Sequence, residues 1–176
     1  MATIPIPQTV HIHELAESDA IDLLKFERAN KSFFEKWVPA RTEDYFELES
    51  LKEIIRELVM DEDHFFLVRN EEYQLIGRIN LRAAGASTDG GAELGYRIGE
   101  AFGGKGFAKA STLALIQHLK AEGGPSSLIA FAAVNNPASS SVLKACGFQQ
   151  DATGTKSVQL NDQTLTLHKY TRLLEA

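Results

Sequence analysis

The sequence predicts one α+β domain, residues 1–176. Three observations lead there. The chain is 176 residues long and 44% apolar, about the length of one domain and enough to bury a sizeable core. No repeat, linker or low-complexity stretch divides it. Short apolar runs alternate with longer stripes at helical spacing in the order strand, two helices, three strands, helix, strand, helix, two strands, and short links join two pairs of the strands as hairpins.

Thr9 to Leu15 reads as the first strand, with Val10, Ile12 and Glu14 on one face and His11 and His13 on the other, a solvated pair with no third ligand nearby. Ser18 or Asp19 is the expected cap of a helix carrying Ile21, Leu24, Phe26, Phe33 and Phe34, which runs out near Trp37 before Pro39. Thr42 is the expected cap of a second helix, whose stripe is Tyr45, Leu48, Leu51, Ile55, Leu58 and Val59. Trp37, Tyr45 and Phe46 at the junction of these helices are candidates for the wall of a substrate pocket, with core packing as the plainer alternative.

His64 to Arg69 and Tyr73 to Arg82 form a hairpin across Asn70-Glu71-Glu72. Gly85 to Gly91 is a loop, and Glu93 to Ile98 a strand broken by the four glycines of Gly99 to Gly106. From Lys105 to Glu122 a third helix is expected to bury Phe107, Leu113, Leu115, Ile116 and Leu119 before Gly123-Gly124-Pro125 stops it. Leu128 to Val134 is apolar enough for a strand covered on both faces. Asn136 as cap, Pro137 in the first turn and Gly147 just past the end delimit a fourth helix. Val158 to Leu160 and Thr164 to Tyr170 close the chain as a hairpin turned by Asn161-Asp162-Gln163.

Composition narrows the function. A net charge of -6 argues against a nucleic-acid surface, which needs a basic excess, and would draw cationic acceptors only weakly. Five prolines and 13 glycines are too few for a collagen-like or disordered chain. A lone cysteine, Cys146, makes no internal disulfide and no multi-thiolate zinc site, so a reducing compartment is expected. No apolar run approaches the roughly 20 residues of a membrane helix, and Met1 to Val10 lacks both the charged head and the apolar stretch of a leader. The expected location is the cytoplasm, away from membranes.

The strongest local signal is strand, glycine loop, helix, from Glu93 to Ile116. A glycine-rich helix entrance offers unpaired N–H groups and partial positive charge, which suit phosphate. A triphosphatase loop matches Gly99 to Lys105 but fails at Gly106, where a magnesium-holding hydroxyl is needed. A dinucleotide fingerprint begun at Gly104 fails at Lys109. A coenzyme A pyrophosphate cradle and a ligand-free tight turn both stay open on the loop alone.

Glu93-Leu94-Gly95-Tyr96, Gly104-Lys105-Gly106-Phe107-Ala108, Asn136-Pro137-Ala138-Ser139 and Val142-Leu143-Lys144-Ala145-Cys146-Gly147-Phe148 together resemble the GNAT N-acetyltransferases, in particular their RimJ/RimL-like branch. The likeness extends to the first half, where Trp37-Val38-Pro39 stands between two helices. It implies a GNAT fold: a mostly antiparallel sheet of about seven strands, splayed between the fourth and fifth, with helices on both faces. It also implies acetyl transfer from acetyl-CoA to a primary amine, with no metal. Carried over by position, Tyr96, Arg97 and Ile98 offer backbone to the pantetheine arm. Gly103, Gly104, Lys105, Gly106, Phe107 and Ala108 cradle the pyrophosphate, although Gly103 stands where the family often has Gln or Arg. Asn136 contacts the arm, caps its helix, or does both.

The same likeness makes Glu93 the base that deprotonates the incoming ammonium, and Ser139 the acid that protonates the departing thiolate. A strand-face salt bridge and a reinforced helix cap are the plainer roles of these two. A second carboxylate of the branch falls on Ile129. An α-amine with pKa about 8 needs little help at pH 7, whereas a lysine needs roughly 3 kcal/mol more, so a protein N-terminus or a small-molecule amine is the expected acceptor. Ribosomal-protein N-termini belong to the same implication. The rival from another class is a non-catalytic acyl-CoA-binding or sensing domain, which Ile129 favours. Cys146 reads as a packed thiol, not a nucleophile. Monomer and homodimer are equally compatible with the sequence.

Overall fold

The computed structural model describes residues 8–83 and 91–174. Its elements are β1 (His11–Glu14), α1 (Ala20–Phe34), α2 (Leu48–Met60), β2 (His64–Arg69), β3 (Leu75–Ala83), β4 (Gly91–Ile98), α3 (Phe107–Ala121), β5 (Ser127–Ala133), α4 (Pro137–Ala145), β6 (Gln149–Leu160) and β7 (Gln163–Leu173). The loop expected over Gly85 to Gly91 lies outside the described residues except for Gly91, as does most of the Met1 to Val10 stretch.

The strands form a seven-stranded sheet in the order β1-β2-β3-β4-β5-β7-β6. Neighbours are antiparallel except β4 and β5, which run parallel because α3 carries the chain back between them. Alternation along β2 sorts the two cores. Phe65 and Leu67 face α1 and α2 with Leu23, Leu51 and Ile55, while Phe66 and Val68 face α3 and α4 with Leu115, Ile116 and Leu143. The mostly antiparallel α+β architecture with helices on both faces is the one the sequence led us to expect.

Several local expectations shift. Asp19 does not cap α1 with its side chain; its carboxylate turns back to accept from the Ala16 N–H at 3.0 Å and meets Arg69 at 3.2 Å. Thr42 precedes a short 3-10 turn at Glu43–Phe46, and α2 begins only at Leu48. Ile21, Val59 and Leu113 are exposed, whereas Leu23, Ser111 and Thr112 are buried. For Val59 the reason is geometric: the single step from Leu58 turns a side chain about 100° around the helix, away from the sheet. β6 is longer than the expected three residues; its first part is polar and exposed, and its register with β7 breaks between Gln150 and Thr155. There Asp151 Oδ1 accepts from the N–H groups of Thr153 and Gly154 at 2.9 and 3.2 Å.

The α4 signals hold as expected. Asn136 Oδ1 accepts from the Ser139 N–H at 3.2 Å, and Pro137 opens the helix. Gly147, at φ 80°, turns the chain so that the Phe148 N–H reaches the Leu143 carbonyl at 3.0 Å.

One buried ion pair ties α1 to the sheet. Arg78 Nη1 on β3 donates to Glu27 Oε1 at 2.8 Å and to the Tyr45 hydroxyl at 3.2 Å, with Glu27 and Arg78 only 2% and 5% exposed. Glu27→Ala leaves Arg78 buried without its carboxylate, so a loss of about 3–5 kcal/mol is expected. Urea unfolding measures it as a lower midpoint at unchanged slope.

Candidate active site

β4 and β5 pair over three positions only, Gly91 with Ser127, Ala92 with Leu128 and Glu93 with Ile129. Beyond that vertex β4 stays bonded to β3 through Ile98, and β5 stays bonded to β7 through Ala133. The strands therefore part, and each keeps one bonded edge and one open edge. The cleft between them has a volume of about 350 Å³ and is lined by Glu93, Tyr96 and Arg97 from β4, Asn136 and Ser139 from the start of α4, and Trp37 from beyond α1.

Glu93 stands at the vertex with its side chain 44% exposed, and Lys156 Nζ of β6 lies 3.8 Å from its Oε1. Ile129, its register partner, is buried, so the vertex offers one carboxylate and an aliphatic wall. Ser139 occupies the first turn of α4. Its backbone N–H serves the Asn136 cap and its Oγ lies 3.1 Å from the Tyr96 hydroxyl. Asn136 thus caps the helix and lines the cleft at once.

The sequence assigned Tyr96 only its backbone and missed its side chain, which crosses the cleft to Ser139. Period two along β4 carries the signal, because Leu94 and Tyr96 share the face covered by α3 and α4. Burial pushes the Tyr96 phenol up, and the hydrogen bond to Ser139 offsets only part of that.

Trp37 lines the cleft mouth, 37% exposed. Tyr45, its companion in the expected substrate wall, does not line the cleft. The 3-10 turn tucks its ring into the core at 5% exposure, where the hydroxyl accepts from Arg78 and the guanidinium of Arg41 covers the ring at 4.9 Å. Ile98 ends β4 half-buried, beyond the lining of the cleft.

The glycine loop follows. Asn30 of α1 anchors its start, accepting from the Glu100 N–H at 2.9 Å while donating to the Phe26 carbonyl at 2.8 Å. The Gly103 N–H turns inward to the Glu100 carbonyl at 3.1 Å. Among the described residues the next amide of this stretch with an intramolecular partner is that of Ala110, which donates to Gly106 at 3.0 Å. Amides 104–109 are thus open, whereas that of Gly103 is already paired. Gly104 and Gly106 have φ 70° and 87°, left-handed values that L side chains rarely adopt. Lys105 folds back, its Nζ donating to the Ala101 carbonyl at 2.8 Å.

Four charged or polar side chains of the cleft were not singled out from sequence: Arg78, Asn80 and Arg82 of β3, and Lys156. Arg97 brings its side chain as well as its backbone. Cys146 is buried outside the cleft, with Sγ donating to the Lys109 carbonyl at 3.7 Å, and burial pushes the thiol up. His11 stacks on Tyr73 and His13 meets Asp19, so neither waits for a ligand. Among the described residues no group of three or more His, Cys, Asp or Glu gathers as a metal site, and no helix is long and apolar enough to cross a membrane.

Residues 10–149 match the family described as acetyltransferase (GNAT) domain. The chain is 26% identical over 159 residues to the probable N-acetyltransferase YjcK of Bacillus subtilis (strain 168), covering 88% of each. Its fold is similar to that of the ribosomal-protein-S5-alanine acetyltransferase from Vibrio fischeri, with TM-score 0.83 at 20% identity over 94% of this chain and 93% of that one. It is similar too to the spermidine N-acetyltransferase from Vibrio cholerae in complex with CoA and spermine, with TM-score 0.78 at 19% identity over 94% and 95%.

The folded state holds the Tyr96 proton to higher pH than the unfolded chain does, so this part of the stability is whole at neutral pH and is lost as pH rises through the folded value. In a tyrosinate absorbance titration the last-ionising component is expected to vanish in Tyr96→Phe. Loss of an early component instead would contradict the burial.

Proposed function

Because the chain belongs to the GNAT acetyltransferase family and is an acetyl-CoA-dependent N-acetyltransferase, we propose that the gap between β4 and β5 is where an amine meets the acetyl group, with Glu93 as base and Ser139 as acid. The observation that carries this reading is the parting of the two strands right after Glu93, which opens a cleft lined by a carboxylate and a hydroxyl, with a run of free amides at the entrance to the helix that follows β4.

The residues fit acetyl-CoA. Open amides 104–109 at the N-terminal end of α3 suit a pyrophosphate, since both the unpaired N–H groups and the helix dipole favour negative charge. The free edge of β4 from Tyr96 to Ile98 suits an amide-bearing arm laid alongside as an extra strand. When bound, the donor supplies an acyl thioester whose carbonyl carbon an amine can attack.

Glu93 sits in partial contact with water at the vertex, so it can take the ammonium proton directly or through one water, freeing the lone pair that forms the C–N bond. Ser139 Oγ can give a proton to the sulfur as the C–S bond breaks. The Tyr96 hydroxyl, kept protonated by burial, holds that serine in place. Asn136 fixes the turn that carries Ser139. Ile129 beside Glu93 provides no second carboxylate, which supports an acceptor with an easily deprotonated amine, a protein N-terminus or a small molecule, over a lysine side chain.

Free-thiol release from acetyl-CoA across α-amines, N-terminal peptides and lysine peptides tests this. Glu93→Gln is expected to lower kcat about 100-fold, while the Kd for coenzyme A by calorimetry stays within about twofold because the substitution is isosteric and leaves amides 104–109 unchanged. Coenzyme A binding without turnover on the whole panel would turn the assignment to the non-catalytic acyl-CoA-binding reading that Ile129 favours.

A further inference from the structure

The cleft carries a charge opposite to that of the chain. Net charge is -6, yet Arg78, Arg82, Arg97 and Lys156 line the cleft against the single carboxylate of Glu93. The negative partners lie behind or beside these cations. Asp63 meets Arg82 at 3.5 Å and Glu93 meets Lys156 at 3.8 Å. Glu27 serves two arginines at once, with Oε1 at 2.8 Å from Arg78 in a hydrogen bond and Oε2 at 3.9 Å from Arg97, too far for one.

Arg97 is therefore the cation left over. Its side chain, 19% exposed, places the guanidinium 5.5 Å above the Phe34 ring, and the small void behind it is lined further by the cations Lys31 and Arg41 and the carboxylate of Glu35. Burial and then the neighbouring Arg78 pull its pKa down to about 10, at which the guanidinium is still charged at neutral pH. Glu93, Gly95 and Arg97 alternate onto the same face of β4, and Gly95 between them leaves the lane from the vertex to Arg97 free of a side chain. Beside that lane Asn80 Oδ1 is buried and, among the described residues, without a partner.

Resting on the acetyl-transfer reading, we infer that the acceptor is an amine that also carries an anionic group, a carboxylate or a phosphate, held by Arg97 at one end of the lane while the amine lies at Glu93. A guanidinium with an unfilled fork takes either anion in a charge-assisted pair. The same cations disfavour a polyamine, whose second and third charges would be repelled. They also lower the pKa of an arriving ammonium and so lighten the task of Glu93, an effect that offsets the missing carboxylate at Ile129.

Matched acceptors test this: the dipeptides Ser-Glu and Ser-Gln, glutamate and its diamide, phosphoethanolamine and ethanolamine, and spermidine. The carboxylate and phosphate arms separate the two sources of charge. The anionic member of at least one pair is expected to have kcat/KM about tenfold or more above its neutral partner, the range of one charge-assisted hydrogen bond. Arg97→Gln should bring that ratio to within about twofold and Arg97→Lys should restore part of it. Without any variant, raising salt from about 50 to 500 mM should cut the wild-type ratio severalfold. Ratios near one for every pair, or spermidine as the best acceptor, overturn the inference and leave acetyl transfer standing. Absence of turnover on every acceptor counts against acetyl transfer itself. Calorimetry of N-acetyl-Ser-Glu against N-acetyl-Ser-Gln in the presence of coenzyme A then reads the preference directly, and equal or absent affinities overturn it.

Discussion

The structure turns on the place where two parallel strands stop bonding. A sheet whose neighbours all pair has no room in its middle, and this one creates room by letting β4 and β5 part after Glu93 and Ile129. Each strand keeps its other partner, so the opening exposes backbone groups without unravelling the sheet. Side chains then fill the wedge from both layers: Tyr96 and Ser139 on the α3 and α4 face, Glu93 and Arg97 on the α1 and α2 face. The gap thereby places the Glu93 carboxylate, the Ser139 hydroxyl and the cations of the chamber under Trp37 around one volume, as proximity between reacting groups requires.

The charged chamber has its own support. Glu27 is a carboxylate on a helix otherwise packed by Leu23, Leu24 and Phe26, and it reaches the sheet by pairing with the buried Arg78. Pairing at such depth adds little net stability but fixes the position of α1 against β3. Asn30, one turn further along α1, anchors the start of the glycine loop. A single helix thus positions both Arg78 of the cleft and the start of the glycine loop.

Local signals were legible around α4, though not at Asp19 and Thr42, whose expected caps did not form. Asn136, Pro137 and Gly147 delimit α4 as expected, since capping, ring geometry and a left-handed turn depend on a few adjacent residues. Helix faces were harder. Ile21, Val59 and Leu113 are exposed although they sit beside buried neighbours, because burial is set by which side of the helix meets the sheet. The early part of β6 escaped because its polar residues show no period, and with it went Lys156, a neighbour of Glu93. Tyr45 was assigned to the substrate wall from its place at the junction of two helices, and the turn that holds it buries it behind Arg78.

The amino-acid sequence alone determined the α+β class, the order of its elements, the glycine entrance to α3 and the nomination of Glu93, Asn136 and Ser139 as the residues to watch. The class, the order and the entrance follow from periodicity, chain stiffness and turn residues, which are properties of neighbours along the chain, and the three nominations follow from the resemblance of their motifs to a known family. Tertiary structure alone decided that Tyr96 meets Ser139 and that a chain with a negative balance encloses a cationic cleft. Each of these depends on residues 10 to 80 positions apart being brought within a few ångströms, and electrostatic energy depends on that distance, not on the count of charges in the chain.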